Sequence, residues 1–201
     1  MDHSNVEGII LAAGFSSRVG RNKLLLDIGG KTIIEKCILS MYDTCTRIFV
    51  VGGHRIEDIR PLVAKYPKVE LVFNPDFKDG MFSSVKKGLS MVTEEWFFII
   101  PGDYPMINGK TYKEMLEVGK DIIIPVFNDK NGHPLLMKGS LINEILSDNT
   151  LESLRDFIKS KSPYKLHVED EGILLDIDNM DDYFGLLNKK GIHSEKLVGT
   201  E

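Results

Sequence analysis

The stretch GIILAAGFSSRVGRNKLLL, residues 8–26, joins a β-rich apolar run to a loop of glycines, serines, arginines and a lysine, then turns apolar again. Its first half predicts a strand buried on both faces, as in a parallel sheet covered by helices. Similar runs recur at RIFVV (47–51), VELVFN (69–74), WFFII (96–100) and DIIIPVF (121–127). Between them, residues 32–41, 56–66, 84–91 and 111–118 carry apolar side chains at helical spacing, with Thr32, Asp79 or Ser83, and Asn108 as expected N-caps. Strand–helix–strand repetition implies right-handed crossovers and a three-layer α/β/α architecture around a doubly wound, mostly parallel sheet. After Val126 the rhythm changes. HPLLM (133–137) reads as a strand entered by a turn, LINEIL (141–146) and TLESLRDFI (150–158) as short helices, and YKLHV (164–168) and GILLDI (172–177) as two more strands at a mixed sheet edge.

With 201 residues, 42% of them hydrophobic and 27% charged, the chain suits one domain, taken as residues 1–192, followed by a polar tail over 193–201. A net charge of −5 argues against nonspecific binding to nucleic acid or to a membrane surface, both of which depend on a broad basic field. The N-terminus MDHSNVEG has no basic segment followed by an apolar one, so cytoplasmic residence is expected. The two cysteines, Cys37 and Cys45, lack any CxxC or histidine-rich context and read as buried thiols.

In open α/β sheets, ligands bind beyond the carboxyl ends of the strands. The loop after the first strand is not a Walker A loop, because five residues separate Gly14 from Gly20 and Lys23 is followed by Leu24. Nor does it carry the three tightly spaced glycines of a dinucleotide fingerprint. What remains is a cationic loop in which Ala12, Ala13 and Gly14 let backbone approach a ligand while Arg18 and Lys23 supply charge, a combination suited to a triphosphate. Asp103, directly after the fourth run in FFIIPGDYP, suits Mg²⁺, which takes one or two carboxylates and fills its octahedron with water and phosphate oxygens. Asp176 and Asp178 alternate in LLDIDNM, so on a strand only one of them would share a face with Asp103.

Five motifs in order, LAAGFSSRVGRNKLLL, DGMFSSVKKGL, PGDYPMI, GHPLLM and DIDNMDDY, resemble the signatures of the MobA-like nucleotidyltransferases across residues 8–182. LAAG with KLLL and GHP is similar to the molybdenum-cofactor cytidylyltransferase branch rather than to the guanylyltransferases, which usually carry LAGG. The resemblance implies a nucleotide-diphospho-sugar transferase-like fold. It also implies a Mg²⁺-dependent reaction in which an NTP, with CTP favoured, gives its NMP to a phosphorylated acceptor, a molybdopterin, and pyrophosphate leaves; a molybdoenzyme client is the implied protein partner. It assigns Arg18 and Lys23 to the phosphates and the leaving group. Leu11, Ala12, Ala13 and Gly14 then face the base and sugar, and Gly80, Met81, Ser83 and Ser84 line the nucleotide pocket. Asp103 and Asp178 bind the metal, with Asp176 as the reserve. His133, Pro134 and Arg155 fall nearer the acceptor. The sequence departs from the family pattern at Val19, where methionine is usual, at Asn179-Met180, where Thr-Pro is usual, and in SDNTLESLRDFI, which stands where a GDxGAR-like segment is common.

Two other readings compete. A sugar-nucleotide-dependent glycosyltransferase would use DID as a metal-binding DxD pair, but has no need for a cationic triphosphate loop. A non-catalytic nucleotide-binding accessory protein of metalloenzyme maturation would not need Arg18, Lys23 and Asp103 together.

Overall fold

A computed structural model describes residues 5–14 and 22–192. Arg18 and the expected tail, 193–201, lie outside the described residues. The strands are β1 (Val6–Ala12), β2 (Arg47–Gly52), β3 (Val69–Phe73), β4 (Trp96–Pro101), β5 (Ile122–Phe127), β6 (Lys130–Asn131), β7 (Leu135–Lys138) and β8 (Tyr164–His167). The helices are α1 (Ile33–Met41), α2 (Ile56–Val63), α3 (Met81–Leu89), α4 (Gly109–Glu117), α5 (Ile142–Ser147), α6 (Leu154–Ser160) and α7 (Met180–Lys190). The strands form one sheet in the order β3-β2-β1-β4-β7-β5-β6, with β8 also paired to β5.

β1, β2, β3 and β4 run parallel, whereas β7 is antiparallel to both of its neighbours, β4 and β5. The mixed character expected at an edge therefore lies inside the sheet. The crossover through α4 places β5 two positions away from β4, and the return strand β7 fills the gap. The edge is instead occupied by β8, parallel to β5. At the other edge β3 is only partly covered, with Val72 buried and Phe73 exposed, so it lacks the two-sided burial expected of VELVFN.

Alternation along the central strands produces the three layers. Ile10, Val50, Phe98, Ile100, Ile123 and Leu136 pack in a core with residues of α1, α2, α4 and α7. Their neighbours Ile9, Phe49, Val51, Phe97, Ile99 and Met137 face a second core containing residues of α3, α5 and α6. Cys37 and Cys45 are buried free thiols. Among the described residues no helix is long and apolar enough to cross a membrane.

Local sequence explains most helix starts. Thr32 and Glu35 form a reciprocal capping box at α1, and the Asn108 side chain accepts from Lys110 N at α4. At α3 the expectation fails, because neither Asp79 nor Ser83 is the cap. Gly80 holds that position at φ 94°, in the left-handed region that glycine tolerates, while Ser83 Oγ is bonded to the Asp76 and Gly80 carbonyls. GILLDI is likewise not a strand. Residues Glu171–Leu174 form a 3-10 turn capped by Asp170, and the apolar run exists because Ile173 and Ile177 plug the core where the chain crosses the sheet ends. Burial without strand pairing gives the same short apolar signature.

The α1 box extends into a buried polar cluster. The Glu35 carboxylate accepts from Thr32 N, Thr32 Oγ1 and Tyr66 Oη and pairs with Lys65. Burial pushes its pKa up, but the Thr32, Tyr66 and Lys65 interactions outweigh this and leave it below the ordinary value of 4.5. A depressed folded pKa contributes stability that is present above the unfolded value and lost as pH falls through the folded one. Glu35→Ala is therefore expected to cost about 1–2 kcal/mol at pH 7. In denaturant unfolding, the gap to the parent chain should narrow as the pH drops below the usual glutamate range.

Candidate nucleotide and metal site

The sheet reverses its winding between β1 and β4, which are adjacent while the chain leaves β1 toward β2 and β3. A crevice opens at such a switch point, beyond the carboxyl ends of the strands. The β1–β4 ladder, with Leu11 opposite Pro101, is extended by Gly102 N donating to Leu11 O at 2.9 Å. A Cβ on Gly102 would lie 3.1 Å from that same carbonyl, so this close approach depends on glycine. The next residue, Asp103, is thereby delivered to the mouth of the crevice.

Three distant parts of the chain converge there. Lys23 Nζ donates to Asp103 Oδ2 at 2.8 Å and to Asp178 Oδ1 at 3.2 Å. Lys23 is rooted by a 3-10 turn, Lys23–Leu25, in which the Asn22 side chain accepts from Leu24 N and Leu24 is buried. The apolar LLL segment thus anchors the end of the loop. Asp178 is held from both sides: Ile177 N donates to Asp103 O at 3.0 Å, and the Asp182 carboxylate accepts from Asp178 N and Asn179 N. Asn179 caps α7 through Asp181 N and Asp182 N. The departure from Thr-Pro therefore keeps the tight turn, with an asparagine cap starting the helix.

Burial pulls the Lys23 ammonium toward lower pKa, but the hydrogen bonds and charges of Asp103 and Asp178 more than compensate and raise it above 10.5. Asp176 does not lie on a strand, which removes the expectation that only one of the two aspartates can face Asp103. It feels both carboxylates: burial first, then the charges of Asp178, Asp103 and Asp182, push its pKa up. It is Asp178, however, that shares Lys23 with Asp103.

Asp103 Oδ1 is buried and has no hydrogen-bond partner among the described residues. A buried, unpaired carboxylate oxygen beside a half-exposed second carboxylate fits a hard divalent cation completed by phosphate and water. Among the described residues no group of three or more His, Cys, Asp or Glu side chains could hold a metal ion, so an all-protein cage does not fit.

A cavity of about 830 Å³ lies on the α3 and α6 side of the sheet, and Lys23, Asp103 and Asp178 are not among the residues that line it. Leu11, Gly80, Met81, His133 and Arg155 line it, so residues expected on the nucleotide and acceptor sides share one space. Ser83 and Ser84 do not line it. Both hydroxyls accept from Asn74 Nδ2 at 2.9 Å, and Asn74 Oδ1 accepts from Asp76 N, which locks the loop between β3 and α3. Ala12 and Pro134 are buried, Ala13 half-buried and Gly14 exposed.

His133 connects the cavity to the carboxylates. Its ring stands edge-on to Tyr104 with centroids 4.7 Å apart, and its Nδ1 is buried without a partner among the described residues. Burial takes its pKa down to about 4 despite the opposing pull of Asp103, so the imidazole is neutral at physiological pH. Tyr104 is pushed up to about 12 by burial and by the charges of Asp176, Asp103 and Asp178. Sequence reasoning missed Asn74, Tyr104, Lys159 and Lys165. Asn74 had a signal, a polar residue directly after a strand; Lys159 and Lys165 line the cavity only because α6 and β8 meet there.

The chain as a whole is similar to known proteins. Molybdenum cofactor cytidylyltransferase of Escherichia coli (strain K12) is 29% identical over 181 residues, which is 90% of this chain and 94% of that protein. A probable molybdenum cofactor guanylyltransferase of Bacillus cereus (strain AH187) is 28% identical over 66% of this chain and 67% of its own length. Among solved structures, Rv0371c from Mycobacterium tuberculosis H37Rv superposes with a TM-score of 0.79 at 23% identity, over 94% of this chain and all of that one. A structure of Rv0371c in complex with manganese gives a TM-score of 0.74 at 22% identity, over 92% of this chain and 98% of that one. The family model for the MobA-like NTP transferase domain matches residues 8–166, and the chain belongs to that family of nucleotidyltransferases.

Proposed function

We propose that residues 1–192 act as one domain that transfers NMP from an NTP, CTP in preference, to a phosphorylated acceptor of the molybdopterin type, with Mg²⁺ and with release of pyrophosphate. The observation that carries this reading is the convergence of Lys23, Asp103 and Asp178, far apart in sequence, on one ammonium at the sheet switch point. CTP is favoured because the similarity to the cytidylyltransferase covers 94% of that protein, against 67% for the guanylyltransferase. A cytoplasmic setting and a molybdoenzyme client follow as parts of the same reading.

In the reaction, an acceptor phosphate oxygen forms a bond to the α-phosphorus. The bond from that phosphorus to the bridging oxygen breaks, and its electron pair leaves with pyrophosphate. Charge builds on the phosphoryl oxygens, so catalysis is mainly positioning and electrostatics. Lys23 and Arg18 neutralise the departing phosphates. Asp103 and Asp178 would hold Mg²⁺, which would supply shielding of negative charge on the polyphosphate. Leu11 to Gly14 present backbone to the nucleotide, Gly80 and Met81 close the pocket beside it, and Ser83 and Ser84 act through Asn74 to shape that loop. His133, Pro134 and Arg155 bound the acceptor side, His133 as a neutral hydrogen-bonding ring and Pro134 by fixing the backbone beneath it.

Lys23→Ala and Asp103→Ala should each lower pyrophosphate release by about 10²–10³-fold with near-parent circular dichroism; near-normal release from either would contradict the assignment. Arg155→Ala should raise the KM for the acceptor and leave the KM for the NTP unchanged. In thermal denaturation with Mg²⁺, CTP should raise Tm more than GTP, ATP or UTP, since a ligand that binds only the folded state stabilises it.

A further inference from the structure

Lys23 does not point at open space in the structure. Its ammonium is already spent on two carboxylates, 2.8 Å from Asp103 Oδ2 and 3.2 Å from Asp178 Oδ1. Its side chain is only 16% exposed, and that of Asp103 19%. A single hydrated cation on a flexible four-carbon stem is thus seated between the two groups that suit a divalent ion.

We propose that Lys23 is a displaceable counter-cation of Asp103 and Asp178, holding the two carboxylates together until a polyphosphate draws the ammonium away and leaves them open to a divalent ion. The inference rests on the reading of Asp103 and Asp178 as metal carboxylates.

Three features support it. The root of Lys23 is fixed, by the Asn22 side chain on Leu24 N and by burial of Leu24, while the stem beyond Cβ can swing without moving that anchor. The two carboxylates carry like charge and share one ammonium, which offsets their mutual repulsion. Asp103 Oδ1 has no hydrogen-bond partner among the described residues, whereas Asp103 Oδ2 and Asp178 Oδ1 are both engaged by Lys23, so the pair of carboxylates is not open to an incoming ion. With Lys23 in place, binding of the ion alone is weak, because it gains one carboxylate and faces a positive charge across a short, partly desolvated gap. A polyphosphate offers Lys23 equivalent charge-assisted hydrogen bonds and releases both carboxylates at once. Metal and nucleotide are then positively coupled, and by linkage the coupling is the same in either order of addition.

The test measures Mn²⁺ binding to the full chain without nucleotide, from the electron paramagnetic resonance signal of the free ion. It compares the parent chain, Lys23→Met, Lys23→Arg, Asp103→Asn and the double variant Lys23→Met with Asp103→Asn. The expected result is Mn²⁺ binding about tenfold tighter in Lys23→Met than in the parent. Lys23→Arg should match the parent, and the double variant should lose the gain. If Lys23→Met binds Mn²⁺ no more tightly than the parent while Asp103→Asn still abolishes binding, the counter-cation role is wrong and the metal assignment stands. If no variant binds Mn²⁺, or binding ignores Asp103→Asn, the metal assignment fails and this inference with it. Should Lys23→Met not fold, ¹⁵N-lysine NMR of the parent chain decides. Mg²⁺ with pyrophosphate should shift the Lys23 Nζ resonance and Mg²⁺ alone should not; an equal shift with Mg²⁺ alone overturns the proposal.

Discussion

The parallel pairing of β1 with β4 is the constraint on which the rest of the site depends. Leu11 stands opposite Pro101, and Gly102 N continues the ladder onto Leu11 O. This one register delivers Ala12 to Gly14 and Asp103 to the same edge although nearly ninety residues separate them. A slip by one residue would turn every side chain of β4 to the opposite face, moving Phe98 and Ile100 out of one core and Phe97 and Ile99 out of the other. The two cores therefore fix the register, and the register fixes the site.

The second organising feature is the chain that passes over the strand ends from Asp170 to Asn179. Asp170 ties it to α4 through Asn108 N and Thr111 Oγ1, Ile173 O receives His133 N, and Ile177 N bonds Asp103 O. Through these bonds the crossing segment aligns Asp178 with Asp103 on one side and holds the His133 backbone on the other. The groups proposed to bind the metal and to face the acceptor are thus positioned by a single element that is neither strand nor long helix.

That element also marks where sequence reasoning stopped. The layered α/β architecture, all five of the β-runs and the caps at Thr32 and Asn108 were legible because each reflects a local rule of periodicity or hydrogen bonding. The strand expected over GILLDI was not, because Ile173 and Ile177 are apolar for burial alone. The interior place of β7 was equally hidden, since nothing local says which neighbours a return strand will find. Within the site, Lys23 and Asp103 were visible from their position after apolar runs. The hydroxyls of Ser83 and Ser84 accept from the buried Asn74, a partner ten or fewer residues away whose burial only the folded loop reveals. Lys159 and Lys165 reach the cavity through the packing of α6 on the β5–β8 edge, which sequence spacing does not encode.

The central claim is that one crevice between β1 and β4 holds a divalent ion and a nucleoside triphosphate together. Anomalous diffraction from crystals grown with Mn²⁺ and a non-hydrolysable CTP analogue tests it most directly. The account predicts a manganese peak bonded to Asp103 and to the analogue's phosphates, with Lys23 turned from the aspartates to those phosphates. A manganese peak away from Asp103, or an analogue whose phosphates lie outside reach of Lys23, would contradict it.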